Sequence, residues 1–215
     1  MIERERSGES ASVVGRDADI ARLGSFVRDA SPGEALVLIG GTGIGKTTLW
    51  EAAIELARAG GARVLSARPG RSAAQSSFGG LIDLCDEFVE ADLAALPNPQ
   101  RRGLEAALVR ADPNDETAPP MVIALGFLGV VRALATEAPV VIAIDDLDWL
   151  DPPSVEVLTF VARRVDAARV AFLLARRPGR VGALEAVLSR TAIERIRVGP
   201  LSLGAIRRCY SSGWI

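Results

Sequence analysis

Short, uninterrupted apolar runs recur along the chain, each bounded by glycine, proline or charged residues. Runs without polar alternation are typical of strands buried on both faces of a parallel sheet, and the stretches between them carry the three-to-four spacing of amphipathic helices. Strands that alternate with helices predict an α/β fold, with a parallel sheet of about five strands flanked by helices on both faces. The predicted strands are Ala35–Ile39, Arg63–Ala67, Val140–Ile144, Val170–Ala175 and Ile193–Val198.

The same pattern predicts the helices and the domain limits. The predicted helices are Ala18–Asp29, Lys46–Arg58, Phe78–Val89, Arg101–Arg110, Met121–Glu137, Pro152–Val165 and Val181–Ser189. Residues 1–12 are polar and charged, which predicts a disordered lead-in, and residues 13–203 form the expected domain. A lid helix with Ser202 as its cap is expected to begin at about residue 204. The helical pattern is lost from Cys209 onward, so residues 204–215 are expected to be a truncated lid or an irregular tail.

The turn after the first predicted strand carries the most specific motif. It holds the only lysine of the chain, and it fits the pattern G-x-x-x-x-G-K-[S/T] between a strand and a helix. Backbone N–H groups of such a loop turn towards phosphates, and the lysine ammonium reaches the β and γ phosphates. The motif predicts a phosphate loop for ATP. Its candidate binding residues are Gly40, Gly41, Thr42, Gly43, Ile44, Gly45, Lys46, Thr47 and Thr48.

Composition narrows the chemistry further. The chain of 215 residues has a formal net charge of −2, so a basic nucleic-acid-binding domain is not indicated. It has no histidine, which excludes His-based triads and His-ligated zinc. Cys85 and Cys209 lack metal-ligand spacing and are interpreted as reduced thiols. The longest uncharged apolar run, Met121–Val131, is too short to span a bilayer, and no signal peptide opens the chain, so a cytoplasmic protein without a membrane partner is expected.

Two carboxylates follow the third predicted strand directly. Ligands collect at the carboxyl ends of parallel strands, so Asp145 is predicted to hold Mg²⁺ through water, with the Thr47 hydroxyl as a direct ligand. Asp146 is predicted to orient or deprotonate the water that attacks the γ phosphate. The alternative is an ordinary strand-ending turn, in which aspartates are common. Arg176 and Arg177 follow the predicted strand that ends at Ala175, and one of the two is a candidate sensor of the γ phosphate, with Arg176 favoured because it lies nearer the strand end. The alternative is a solvated pair of loop arginines.

The loop beyond the carboxylate pair has simpler predicted roles. Asp151 before Pro152 is predicted to be the N-cap of the following helix. Trp149 is predicted to plug the loop against the core.

These motifs occur in an order that resembles the N-terminal ATPase module of the large ATP-binding LuxR-type transcriptional regulators. Those regulators form the MalT-like branch of the STAND NTPases within the wider AAA group. The resemblance covers about Val13 to Leu203. Its motifs are Val14-Gly15-Arg16-Asp17, the phosphate loop, Ser77-Phe78 to Leu84, Ala95-Leu96-Pro97, Ile144 to Ser154, Ala175-Arg176-Arg177-Pro178 and Gly199-Pro200-Leu201-Ser202.

The resemblance implies that Val14, Gly15 and Arg16 lie near the adenine and ribose. It also implies a switch in which bound ATP favours an assembling state and slow hydrolysis resets it, with self-association through the ATPase module. DNA binding would belong to a C-terminal domain absent from this chain. In the resembling family, the place of Asp148 often holds His or Gln, so this chain adds negative charge near the metal.

Two alternatives remain open at the level of the sequence. One is a free-standing P-loop enzyme such as a small-molecule kinase, against which the doubled acid argues. The other is a nucleotide-binding remnant that does not hydrolyse ATP. If the chain is the ATPase module of such a regulator, weak ATPase activity is possible but is not required.

Overall fold

The computed structural model describes residues 14–70, 77–86, 90–108, 118–165, 167–188 and 192–211. Within these ranges the strands form one parallel five-stranded sheet in the order β2-β3-β4-β1-β5. The strands are β1 (Ala35–Ile39), β2 (Arg63–Ala67), β3 (Val140–Ile144), β4 (Val170–Arg176) and β5 (Ile193–Arg197). The predicted α/β fold is therefore confirmed, and the sheet places β4 between β1 and β3.

Helices connect the strands and cover both faces of the sheet. They are α1 (Asp17–Asp29), α2 (Lys46–Ala59), α3 (Gly79–Leu84), α4 (Glu90–Ala94), α5 (Asn98–Ala107), α6 (Pro120–Glu137), α7 (Pro152–Ala162), α8 (Ala183–Leu188) and α9 (Leu203–Ser211). A short 3-10 turn, Leu147–Trp149, lies between β3 and α7.

The apolar runs form strands because both of their faces are buried. Alternate side chains point to opposite faces, so neighbours such as Val37 and Leu38 join different cores. One core packs the sheet against α1 and α2, and Leu36 and Leu38 belong to it. The larger core packs the other face against helices between α3 and α8. These two layers define the α2 face and the α7/α8 face of the sheet.

Helix α6, with 18 residues, is the longest helix of the described residues and is strongly apolar. It is long and apolar enough, by length and composition alone, to pass as a membrane span, with a mean hydropathy of 1.5 over 18 residues. Half of that window is buried inside the fold. Phe127 and Val130, for example, are fully buried in the larger core. Packing of this kind identifies α6 as a core helix of the domain.

Several predicted helix limits were wrong by a few residues. Helix α3 ends at Leu84, whereas Val89 lies outside the described residues. Helix α5 begins at Asn98 and includes Pro99 in its first turn. Proline is tolerated there because a backbone N–H in the first turn has no partner within the helix. Helix α7 ends at Ala162 rather than Val165. Helix α9 continues through Ser211, beyond the predicted loss of pattern at Cys209.

Two predictions for the chain ends have different outcomes. The Ser202 hydroxyl accepts a hydrogen bond from the Ala205 backbone N–H at 3.2 Å, so its capping role is confirmed. The predicted lead-in, residues 1–12, lies outside the described residues, as do residues 212–215.

Candidate nucleotide-binding site

The loop between β1 and α2 has the backbone that its glycines permit. Gly43 and Gly45 have φ angles of 73° and 98°, a region that favours glycine. At Gly40 a Cβ atom would lie 2.6 Å from Ile44 Cγ2 and 3.2 Å from the Val198 carbonyl oxygen. The start of the loop therefore fits closely against Val198, the residue after β5, and the loop then turns sharply into α2. Its residues Gly40 to Gly45 lie at the N-terminus of a helix of 14 residues, whose dipole favours an anion there.

Lys46 is buried without a counter-ion among the described residues. Its side chain is 6% exposed, and its ammonium donates a hydrogen bond to the Gly41 carbonyl oxygen at 3.0 Å. No described carboxylate lies within 4.0 Å of this ammonium. A buried charge is costly unless an opposite charge compensates it. The arrangement fits a lysine that receives its counter-charge from a bound anion.

Thr47 and Asp145 meet across the gap between α2 and β3. The Thr47 hydroxyl donates to Asp145 Oδ2 at 2.8 Å, and Asp145 Oδ1 accepts the backbone N–H of Asp146 at 3.0 Å. Asp145 is 6% exposed and continues the alternation that places Val141 and Ala143 on the α2 face. The sheet thus brings the predicted metal residues together at the mouth of the phosphate loop.

The oxygen pair fits a magnesium ion. The Thr47 hydroxyl and Asp145 Oδ2 are hydrogen-bonded at 2.8 Å, which suits Thr47 as a direct ligand of the ion and Asp145 as the acceptor for one of the ion's water ligands. Among the described residues no three His, Cys, Asp or Glu side chains are grouped to hold a metal. Magnesium commonly takes one or two protein oxygens and completes its shell with phosphates and water. The residues present therefore suit Mg²⁺ that arrives with a nucleotide.

Asp146 has an unusual backbone and a carboxylate that is not engaged by the described residues. Its φ angle of 47° is in the left-handed region, which non-glycine residues seldom adopt. The backbone groups of Asp146 are used, since its N–H donates to Asp145 and its carbonyl accepts from Trp149 at 2.9 Å. The side chain is half-buried at the edge where β3 ends. Its role towards water remains a prediction.

Arg16 supports the phosphate loop from behind. Its guanidinium donates to the Ile44 carbonyl at 2.8 Å and to the Gly199 carbonyl at 2.7 Å, and it lies 3.6 Å from Asp19. Gly15, with φ 75°, packs so closely against α9 that a Cβ there would lie 2.2 Å from the Ala205 Cβ. Val14 is half-buried beside it. Arg16 therefore braces the loop and Gly15 packs against α9, while contact of Val14, Gly15 and Arg16 with adenine or ribose remains a prediction.

Arg176 is also at the predicted edge, but its side chain is already engaged. The guanidinium donates to both carboxylate oxygens of Glu185 on α8, through Nε at 2.6 Å and through a terminal nitrogen at 3.3 Å. A further bond reaches the Arg177 carbonyl at 2.9 Å. Glu185 is fully buried, and its role could not be predicted because one charge in a six-residue helix carries no motif signal.

The loop after the carboxylate pair differs from the prediction at one residue. Trp149 is half-buried with the Arg177 guanidinium 5.4 Å from its ring centre, so the prediction that it plugs the core was wrong. The buried residue is its neighbour Leu150, because the 3-10 turn directs Leu150 inward against Gly80. Asp148 is exposed, and its carboxylate accepts the Arg177 backbone N–H at 2.9 Å.

Asp151 has the predicted capping role and a second one. Its Oδ1 accepts the Ser154 backbone N–H at 2.9 Å, which confirms it as the N-cap of α7. The same carboxylate accepts the backbone N–H groups of Phe78 at 3.0 Å and Gly80 at 2.9 Å. The Ser154 hydroxyl accepts the Leu81 N–H at 2.9 Å. One buried carboxylate therefore fixes the start of α7 and the start of α3 together.

A parallel sheet with a glycine-rich phosphate loop, a buried lysine and a carboxylate at the end of a nearby strand defines a P-loop nucleotide-binding protein. The AAA ATPase domain family matches residues 12–174 of the chain. The match spans most of the sequence, and the chain belongs to this family. No curated protein matches the chain closely enough to count as a relative.

Solved structures share the fold at low sequence identity. Drosophila ORC bound to DNA is 18% identical, with a TM-score of 0.56 over 93% of this chain and 46% of its own. A DNA replication initiation factor is 12% identical, with a TM-score of 0.52 over 93% of this chain and 50% of its own. Drosophila ORC bound to AT-rich DNA and Cdc6 is 14% identical, with a TM-score of 0.51 over 91% and 64%. The chain spans about half to two thirds of the length of these neighbours.

Proposed function

We propose that this domain binds ATP with Mg²⁺ and acts as a nucleotide-dependent switch that hydrolyses ATP slowly. The observation that carries the proposal is Lys46, a buried cation whose described partner is a single carbonyl oxygen. A triphosphate in the phosphate loop would supply the missing negative charge. The loop backbone and the N-terminus of α2 would add hydrogen bonds and a favourable dipole for the same phosphates.

The remaining site residues take separate roles in this proposal. Thr47 would bind Mg²⁺ directly and Asp145 would hold it through water. The ion would neutralise negative charge on the β and γ phosphates. Asp146 would orient or deprotonate the attacking water from the edge of β3. Arg176 would contact the γ phosphate once its guanidinium is available. Asp148 adds a negative charge to the same edge, although its bond to the Arg177 N–H fixes one oxygen.

The broader context of the switch is also part of the proposal. The order of motifs from Val14 to Ser202 supports a module of a LuxR-type transcriptional regulator in the cytoplasm. ATP and ADP are its proposed small-molecule partners, and self-association through the domain is its proposed output. With a net charge of −2, this domain is not expected to bind DNA itself. In such a regulator, DNA binding would belong to a separate domain.

Isothermal titration of ATP against Lys46→Ala tests the central claim. A buried charge-assisted contact is worth about 1.5–3 kcal/mol, so ATP affinity should fall by about 10- to 150-fold. The free energy of unfolding without nucleotide should stay constant or rise, because the variant removes a buried charge. Arg102→Ala, an exposed residue on α5, is the control and should bind ATP normally.

Lys46→Arg is the matched variant that preserves charge. A guanidinium fork is wider than an ammonium, so a partial loss of ATP affinity is expected. Unchanged ATP affinity in Lys46→Ala would contradict the proposal. Phosphate transfer from ATP to a metabolite would favour a small-molecule kinase, and tight ATP binding without any phosphate release would favour a non-hydrolysing module.

A further inference from the structure

A cluster of three charges, two of them buried, lies beside the proposed ATP site. It consists of Arg176 on β4, Glu185 on α8 and Arg195 on β5. Glu185 is 0% exposed and accepts Arg176 Nε at 2.6 Å and Arg195 Nε at 3.0 Å. Its two oxygens are divided between the guanidiniums, because Oε2 faces Arg176 and Oε1 is shared by both. We call these three residues the Glu185 cluster.

The cluster lies on both sides of the strand that leads into the phosphate loop. Strands β4 and β5 flank β1, and Arg176 pairs in register with Ile39, the residue before Gly40. The Gly40 N–H donates to the Arg176 carbonyl at 3.2 Å, so the loop begins at the backbone of Arg176. Any nucleotide in the loop would therefore lie near this arginine.

The side chain of Arg176 nevertheless points to the other face of the sheet. Along β4, Leu173 and Ala175 pack on the α2 face, whereas Phe172 and Leu174 pack on the α7/α8 face. Arg176 continues the second set, and its bonds to Glu185 keep the guanidinium there. Lys46 and Asp145 act on the α2 face. The contact with Glu185 holds Arg176 away from the charges that surround the proposed phosphates.

Arg195 makes exchange of partners feasible. Removal of one member of a buried ion pair is strongly unfavourable when the other charge is left alone. Glu185 would not be left alone, since Arg195 still donates to Oε1. Arg195 is itself 38% exposed, so water shares its solvation. The guanidinium of Arg176 can therefore change from a carboxylate to another anion while Glu185 keeps a partner.

We propose that Glu185 is a positioning residue that sets the preference of the site for ATP over ADP. It competes with the γ phosphate of bound ATP for the Arg176 guanidinium, and ADP offers no such competitor. In the contact with Glu185, Arg176 is kept from reaching the γ phosphate. ATP shifts the balance because it has the additional anion, which is the differential interaction that a conformational switch requires. This inference rests on the proposed function, in which the loop binds ATP.

The test measures the ratio of ATP to ADP affinity in two variants with opposite expectations. Glu185→Gln keeps the shape of the side chain but removes the competing charge. The ratio should then rise by about tenfold, as expected when Arg176 forms a charge-assisted hydrogen bond with the γ phosphate. Arg195→Gln removes one arginine donor from Glu185, so the contact of Glu185 with Arg176 should strengthen and the ratio should fall. In Glu185→Gln combined with Arg176→Gln, the ratio should match that of Arg176→Gln.

The outcomes separate this inference from a structural role and from the proposed function. A merely structural cluster would change thermal unfolding in both variants and would leave the affinity ratio unchanged, which would overturn the inference. Ratios that move in the same direction would overturn it too. If Glu185→Gln does not fold, the half-exposed Arg195→Gln still decides by its direction. Absence of ATP binding in the wild type would defeat the proposed function as well, whereas normal ATP binding with unchanged ratios defeats only this inference.

Discussion

The two faces of the sheet use buried charge in different ways at the same edge. On the α2 face, Lys46 is paired with a carbonyl, and Asp145 bonds a hydroxyl and one adjacent N–H. On the α7/α8 face, the buried Asp151 carboxylate accepts three backbone N–H groups. Lys46 and Asp145 can therefore bind a ligand, whereas the Asp151 carboxylate is already used by contacts within the fold.

This difference separates charges that serve binding from charges that serve structure. Buried polar groups in folded proteins nearly always have partners, so a charge with an incomplete set indicates a ligand. A buried charge with a complete set of hydrogen-bond partners stabilises the fold, so its removal is expected to lower the free energy of unfolding. Unfolding measurements therefore test the charges on the α7/α8 face, and nucleotide binding and hydrolysis test those on the α2 face.

Asp151→Ala should give the largest effect, a loss of about 3–5 kcal/mol in the free energy of unfolding. The substitution leaves the N–H groups of Phe78, Gly80 and Ser154 without their acceptor in a site that is 1% exposed. Both α3 and α7 lose their fixed starting points. Chemical denaturation of the domain measures the change.

Two variants control this prediction. Asp151→Asn retains Oδ1, which serves Phe78 and Ser154, and exchanges only the acceptor of Gly80, so its loss should be clearly smaller. Asp148→Ala removes an exposed carboxylate from the same loop and should change stability by about 0.5 kcal/mol or less. Equal losses in Asp148→Ala and Asp151→Ala would show that the loop, and not the buried carboxylate, matters.

Asp146→Asn should affect turnover and not folding. Asparagine tolerates the left-handed backbone found at this position, so the substitution introduces little strain. ATP affinity should stay within about threefold, while the rate of phosphate release falls by at least about tenfold, as expected when a group that handles water is lost. Single-turnover phosphate release measures the rate, with Asp148→Asn as the control.

A different result would change the assignment of Asp146. Equal losses of ATP affinity and turnover would move this carboxylate into the metal site beside Asp145. Unchanged turnover would leave it as the strand-ending turn residue that the sequence also allowed.

The sequence predicted best what depends on neighbouring residues. Strands β1, β3 and most of β4 were predictable because each is a continuous apolar run, and the phosphate loop because Gly40 to Thr47 are consecutive. The pairing of Thr47 with Asp145 was predictable because carboxyl ends of parallel strands share one edge. The capping role of Asp151 was likewise a local signal, since the residue precedes Pro152.

Contacts that depend on strand order were not predictable in the same way. Glu185 is buried only because β4 and β5 lie on either side of β1 and bring Arg176 and Arg195 to it. The second role of Asp151 joins residues 71 and 73 positions apart in the sequence. The prediction for Trp149 was wrong because the residue that follows the 3-10 turn, Leu150, is buried in place of the larger aromatic.

The smallest expected effect concerns Asp83, an exposed acid on α3. Partial burial raises the pKa of its carboxyl, the charges of Asp86 and Asp151 add to the rise, and a hydrogen bond from the Arg68 backbone opposes it. A pKa that is higher in the folded state means that the ionised form is disfavoured by folding. Stability should therefore decrease as pH rises from the unfolded value of 3.8 through the folded value.

Asp83→Asn removes this dependence, so its advantage over the wild type should be absent only well below pH 3.8, increase through and above that pH, and then level off. The gain at neutral pH should stay near the size of a surface substitution, about 0.5 kcal/mol or less, because solvent screens an exposed carboxylate. Denaturant midpoints between about pH 4 and pH 7.5 measure it. Asp86→Asn removes only a neighbouring charge and should gain less, since burial is the larger cause. A stability loss in Asp83→Asn would mean that the Arg68 hydrogen bond outweighs burial, and that Asp83 belongs with Asp151 among the charges that hold the fold.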